Sequence, residues 1–474
     1  MARTALIAVR DRSGLKEFTT RLAESHGFRI LELEGCSSDE SVFGPAIPSG
    51  EAERIVRAGE ITLLVANYYD VESVGREYLS WKNALSSFDH EIVDLIRNAA
   101  RQPDRIGIVG SPLAYPKVLE ALESGRDGLS RAFLMDQACN AFQAVAEFDA
   151  AVGRFLETHG GEVPDIDALS GFPKSIRFAW KRALSLDSGE TPRQKAALYG
   201  SFLEHFERIQ GSEFDYPSIV DLSFGTYLIG EFEKPTAAIV KRGSLVNAAS
   251  GNSLPEVIDK LGDSTVPGIK GATLVANGTL GREELEVFGP DAFSTALAPR
   301  WKEGNLPSNV RLVKSRDGLG YEALQQVASM VGGALAQDRN RVGINPFAWR
   351  MPSSVQPLVD CWEDMLFGVK LSRHLKSDGC VAVREGRVIA LASDLPDQGR
   401  VWLRLAEFEG SLENSVLVFD TDIEAVTTLQ EAKRCGIDTV VHPGLDGDGE
   451  ARLIEGANEY GIALVATGTS LCKF

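Results

Sequence analysis

The sequence predicts an α/β fold, a mainly parallel sheet covered by helices on both faces, and three observations carry that reading. Short β-rich runs alternate with segments of helical periodicity from one end of the chain to the other. The runs are nearly all apolar, as strands buried on two faces are. The C-terminal pair DTVVHPG and IALVATG brackets the helical segment EARLIEGANEYG, which makes a βαβ unit.

The elements follow in order. TALIAV (Thr4–Val9) is a strand. In SGLKEFTTRLAESHG, Leu15, Phe18 and Leu22 fall at helical spacing, with Ser13 as the expected N-cap and Gly27 as the stop. RILELEG and ITLLVANYYD are strands, FDHEIVDLIRNAAR a helix, RIGIVGSP a strand with a turn, and Leu129–Thr158 one long helix. The Gly/Pro-rich GGEVPDIDALSGFPKS (160–175) is the expected domain boundary, dividing 1–165 from 166–474, with a further split of the second region near 340–370. Beyond it, TAAIVK, GATLVANG, GCVAVREGRVIALAS and SVLVFD continue the alternation.

Composition bounds the partners. The 474 residues are 44% hydrophobic and 24% charged, enough to bury several cores. A net charge of −18 argues against a nucleic-acid partner, which requires a basic stripe. The six cysteines and six histidines are scattered without metal-ligand spacing, so no metal is expected and the thiols read as reduced. The N-terminus lacks the apolar core of a signal peptide, and no run approaches the roughly 20 residues of a membrane span, so a cytoplasmic location is expected.

One stretch asks for chemistry. In AAIVKRGSLVNAASG (237–251) an apolar run ends abruptly in Lys241 and Arg242, at a strand end where cations commonly face a ligand.

Several stretches, in the correct order, resemble the bifunctional purine-biosynthesis family that joins AICAR transformylase to IMP cyclohydrolase. They are TALIAVRDRSGLKEFTTRLAE, AFQAVAEFDAAVGRFL, VGGALAQDRNR, LKSDGCVAVREGRVIAL and GIDTVVHPG with EYGIALVATG. The resemblance implies a methylglyoxal-synthase-like N-terminal domain, then a transformylase region of two cytidine-deaminase-like α/β lobes. It also implies a homodimer, with 10-formyltetrahydrofolate as formyl donor to an amine.

Where the family carries Lys-His, this chain has Lys241-Arg242. Lys241 can still stabilise a developing oxyanion. Arg242 stays protonated and cannot be the base; it can only donate hydrogen bonds to an anionic group. In LDSGETPRQ the family's Gly, Pro and Gln persist as Gly189, Pro192 and Gln194. The arginine expected to grip a nucleotide phosphate is Asp187, and the histidine is Arg193. TPRQ by itself reads as a helix start capped by Thr191. In LKSDG, Asp378 stands for a family asparagine beside Lys376 and is the candidate base. In VFDTDIEA the resemblance keeps Asp420 of the folate pocket, while the aromatic run beside it is gone and ALASDLPDQGR replaces a Gly-rich segment. In the first domain the phosphate-holding Ser-Gly-Gly-Thr is Leu33-Glu34-Gly35-Cys36. Tyr68 or Tyr69, Asp89 and Arg101 stand for a family tyrosine, aspartate and lysine.

The expected function is formyl transfer from 10-formyltetrahydrofolate to a small amine other than AICAR, with a degenerate first domain. Lys241, Asp378 and Arg242 are the catalytic candidates; Gly189, Arg193, Gln194 and Lys376 the substrate contacts; Asp420 the folate contact. The alternatives are a cyclising dehydratase or hydrolase on the same fold without folate, and a non-catalytic binding or regulatory subunit.

Overall fold

Thr4–Ala8 is the central strand of the first of two units in a computed structural model of the chain, Met1–Ala179 and Trp180–Phe474. The structure describes residues 3–36, 44–77, 80–124, 129–159, 176, 178, 180–263, 269–316, 325–340, 342–376, 379–406, 411–423, 426–444 and 448–470. The expected boundary segment, 160–175, lies outside the described residues.

The first unit is a five-stranded, wholly parallel sheet in the order Ala46–Ile47, Arg29–Leu33, Thr4–Ala8, Leu63–Ala66, Gly107–Val109. The side chains of Thr4–Ala8 alternate, and both faces are buried. Ala5 and Ile7 pack with Leu15, Phe18 and Val118, from the helices Leu15–His26 and Tyr115–Ser124. Leu6 and Ala8 pack with Ile55, Ile92 and Phe148, from Ser49–Ala58, His90–Ala100 and Arg131–His159. The first helix is capped by Gly14, with φ 66°, rather than by Ser13. The amide of Ser13 instead donates to the side chain of Asp11 at 2.9 Å, an Asx turn that takes the cap position's place.

The second unit holds an eleven-stranded sheet. Its strands run in the order Ala463–Ala466, Thr439–His442, Val416–Phe419, Cys380–Arg384, Arg387–Ala392, Ser244–Ser250, Thr236–Lys241, Ala272–Ala276, Phe293–Ala298, Arg311–Ser315, Phe206–Gln210. Ten of these strands are two copies of one arrangement. Each copy is a hairpin whose first strand pairs antiparallel with the first of three mutually parallel strands. The hairpins are Thr236–Lys241 with Ser244–Ser250, and Cys380–Arg384 with Arg387–Ala392. They meet antiparallel through Ala249 and Arg387, so their tips lie at opposite edges of the sheet.

A helix precedes each hairpin, Tyr216–Ile229 in one copy and Trp362–Ser372 in the other, and both contribute to one shared core. Each helix carries a glycine four residues after an aspartate, because the sheet runs close beneath. A Cβ on Gly225 would stand 2.6 Å from Val275, and one on Gly368 2.6 Å from Val418. Among the described residues no helix is long and apolar enough to cross a membrane.

Candidate active site

The stretch KRGS proves to be a two-residue hairpin turn. Arg242 and Gly243 both adopt left-handed backbone, φ 54° and 65°, the signature of the turn that matches strand twist. Glycine takes this conformation freely; for arginine it costs about 1–2 kcal/mol. Asp221, 3% exposed on the helix behind the tip, offsets that cost. Its carboxylate accepts the amide of Gly243 at 2.7 Å and the hydroxyl of Thr273 at 3.1 Å, and also the amide of Arg242. Burial pushes the Asp221 pKa up, and the two backbone amides and Thr273 work against that shift. Replacing Asp221 with asparagine removes the charge from this clamp. It is expected to cost about 1–2 kcal/mol in urea unfolding, since hydrogen bonds to a charged acceptor are the stronger kind.

Lys241 is half-buried at the strand's end, and its ammonium donates to the carbonyl of Lys270 at 2.9 Å. The side chain of Arg242 is exposed.

Gly189, Arg193 and Gln194 lie in the loop joining Arg182–Leu186 to its antiparallel partner Ala196–Tyr199. The loop is a closed bracket. Gly189 N–H donates to the carbonyl of Gln194 at 2.9 Å, and the amide oxygen of Gln194 accepts the N–H and hydroxyl of Thr191 at 2.9 and 3.2 Å. No helix starts here, contrary to the expectation for TPRQ, because the chain turns straight back into a strand. Gly189 and Gln194 hold the loop, and Arg193 and Asp187 stand exposed on it.

The edge that carries the Lys241 tip also carries Lys376 and Asp420. Two strands separate Thr236–Lys241 from Cys380–Arg384, so Lys241 lies about 14 Å across the sheet from the chain at Lys376, at ~4.8 Å per strand. Lys376 is exposed, with its amide donating to Ser393 Oγ at 2.9 Å. Asp378, the candidate base, lies outside the described residues. Asp420 is 2% exposed and follows the strand paired with Cys380; burial, and then the charge of Asp420, push the Cys380 thiol pKa up.

Sequence reasoning missed His442, one strand beyond Asp420. It is 1% exposed, and burial pulls its pKa down to about 4. Among the described residues neither ring nitrogen has a hydrogen-bond partner. Arg350 and Glu450 pair beside it at 2.6 Å. The available signal was a histidine ending the otherwise apolar run TVVH at the C-terminal end of a parallel strand.

In the first unit the C-terminal strand ends are filled by the chain itself. Arg10 donates to Asp89 at 2.6 and 2.8 Å and to the carbonyl of Gly35 at 2.8 Å, with its guanidinium 5.6 Å from the ring of Tyr69. Asn67 accepts the amides of Arg10 and Asp11 at 2.7 and 2.8 Å, bridging the two central strands. Arg12 pairs with Glu32 at 2.9 Å and bonds the carbonyl of Cys36. Tyr69, not Tyr68, faces this edge. Tyr68 is turned inward onto the carbonyl of Ala144, and burial raises its pKa to about 12. Arg101 does not join them. Asp89 precedes and Arg101 follows the helix His90–Ala100, which sets them about 18 Å apart at 1.5 Å per residue. Among the described residues no group of three His, Cys, Asp or Glu could hold a metal ion.

The family profile described as AICARFT/IMPCHase bienzyme matches residues 99–401. The bifunctional purine biosynthesis protein PurH of Desulfitobacterium hafniense (strain DSM 10664 / DCB-2) is 28% identical over 426 residues, covering 86% of this chain and 81% of its own. That of Synechococcus sp. (strain CC9311) is 25% identical over 531 residues, covering 99% of both chains. A solved structure titled "Crystal structure of ForH" aligns at 18% identity and a TM-score of 0.26, over 33% of this chain and 100% of that one.

Proposed function

The chain belongs to the AICARFT/IMPCHase bienzyme family, and on that premise we propose that it moves a formyl group from 10-formyltetrahydrofolate to a small amine other than AICAR. The family is one of enzymes, and its transformylase reaction uses that folate. The observation that carries the reading is Lys241, an ammonium tethered to a backbone carbonyl at a clamped hairpin tip, followed by Arg242, which cannot accept a proton.

In this mechanism Lys241 stabilises the oxyanion that develops as the amine attacks the formyl carbon. Asp378 takes the proton that the amine gives up. Arg242 and Arg193 anchor an anionic group of the acceptor, and Lys376 assists at the same edge. Exposed Asp187, where the resemblance implies a phosphate-gripping arginine, disfavours a nucleotide monophosphate acceptor. The folate supplies the formyl group. A pterin suits the edge at Asp420, where a buried carboxylate accepts N–H groups and the neutral ring of His442 offers one donor and one acceptor. Asp420 and His442 would hold it.

For the first unit the reading is a scaffold. Arg10, Asn67 and Arg12 occupy its strand-end crevice in ion pairs and hydrogen bonds of their own.

The functional form is a homodimer. The hairpin Gln325–Met330 with Gly333–Asp338 stands apart from the large sheet and exposes Val327, Met330, Val331 and Leu335. A lone two-stranded hairpin is marginal in water, and a second copy of the chain covers it. Leu335→Asp is expected to shift the protein from dimer to monomer in light-scattering chromatography; an unchanged mass would remove this hairpin from the interface.

The test of the activity is release of tetrahydrofolate from 10-formyltetrahydrofolate in the presence of a panel of amines. Turnover with a non-nucleotide amine, lost in Lys241→Gln, is the expected result. Preference for AICAR, or turnover indifferent to residue 241, would overturn the reading.

A further inference from the structure

The device that presents Lys241 and Arg242 occurs a second time, and there it borders a cleft. In the second copy the hairpin tip is Glu385 and Gly386, with φ 53° and 70°. Asp364, 8% exposed on the preceding helix, accepts their amides at 2.8 and 2.7 Å. The tip lies at the sheet edge opposite Lys241 and lines a cleft of about 830 Å³ on the seam between the two copies. That volume lies within the range of small-molecule sites, which favour such seams.

The lining has an aromatic part. The rings of Phe232 and Phe367 lie 5.4 Å apart, tilted by 56°, and Trp362 lines the same cleft. Its cations are committed. Lys234 pairs with Glu363 at 2.5 Å and Lys260 with Glu256 at 2.9 Å. Lys370 donates to the carbonyl of Glu231 at 2.8 Å, and Arg384 to that of Glu413 at 2.7 Å. The side-chain carboxylates of Glu233, Asp360 and Glu385 line the same cleft, and among the described residues they have no hydrogen bond or cation partner. The lining carries six carboxylates against four cations, so the cleft is net negative and disfavours an anionic ligand. A cation on an aromatic body would meet acceptors and aromatic side chains together, as the Lys370 ammonium already does over the ring of Phe232 at 5.4 Å.

We propose that this cleft is a second binding site, distinct from the Lys241 edge, for a small organic cation: an ammonium or amidinium on a flat apolar body. It does not depend on the formyl-transfer reading.

The test is calorimetric titration of the full chain with benzamidine, using benzamide and benzoate as neutral and anionic probes of the same shape. Saturable benzamidine binding is expected to weaken as salt is added. The double variant Asp360→Asn, Glu385→Gln is expected to weaken it at least about tenfold, the order lost with hydrogen bonds to charged groups. Circular dichroism checks the fold of the variant, and the salt dependence is read on the unaltered chain. No saturable benzamidine binding, equal binding of benzamide or benzoate, or unchanged affinity in a folded double variant would each overturn the proposal.

Discussion

Lys241→Gln is expected to lower formyl transfer by about 100- to 1000-fold while leaving the fold intact. The magnitude is that of removing one preorganised donor aimed at a developing oxyanion, about 2.7–4 kcal/mol of barrier. The preorganisation is visible. The ammonium is held by the Lys270 carbonyl, and Asp221 ties the hairpin tip to Thr273, three residues along the same segment. A tethered cation loses little freedom when the reaction begins, so its removal falls on kcat more than on KM. The fold survives because Lys241 sits at the strand's half-exposed end, while its buried predecessors Ala237–Val240 carry the packing.

Arg242→His sharpens the test. A neutral imidazole accepts a proton where guanidinium cannot, so a new limb is expected in the pH–rate profile between about pH 6 and 7. If Lys241→Gln keeps more than a third of the wild-type rate, Lys241 is not the electrophile, and the mechanism fails with it.

What could be read from the chain alone divides along physical lines. The alternation of strands and helices was legible because burial of a sheet on both faces writes itself into continuous apolar runs, such as ALIAV and AAIV; the expected parallel pairing holds for the first of these, whereas AAIV pairs antiparallel on both sides. GCVAVREGRVIALAS was legible as strand, and it folds as the hairpin Cys380–Arg384 with Arg387–Ala392. The sites were less so, because their partners are remote in sequence. Arg10 finds Asp89 across 79 residues, and Gly243 finds Asp221 across 22. No local propensity encodes either bond. The tip at Lys241 read as a strand running out toward a ligand, whereas the Arg242–Gly243 pair folds the chain back on itself. Asp89 and Arg101 stand at opposite ends of the helix His90–Ala100, so only Asp89 reaches the strand-end edge. Ser13 and Thr191 have the chemistry of helix caps, but a glycine in left-handed backbone took the first position and a glutamine bracket formed at the second.

His442 makes the second large prediction, a steep loss of stability in acid. Buried in the folded chain, it ionises only near pH 4, against 6.5 when exposed. Between those values the unfolded chain binds a proton that the folded chain refuses, so falling pH favours unfolding. The contribution is complete above about pH 6.5 and is lost as pH falls to about 4. At about 1.4 kcal/mol per unit, the loss amounts to about 2 kcal/mol by pH 5 and about 3 at pH 4. Buried Asp221 and Asp364 act with the opposite sign, because their raised pKa values let the folded chain take up protons first. Both carboxylates are unchanged when His442 is replaced, so the difference in slope between the two proteins isolates the histidine. His442→Gln replaces the imidazole with an uncharged amide of similar size that does not ionise. Urea unfolding read by tryptophan fluorescence, which reports mainly on the second unit through Trp180, Trp301, Trp349, Trp362 and Trp402, should show the acid slope flattened in that variant. An identical slope in both proteins would mean that His442 takes up its proton without leaving the folded state.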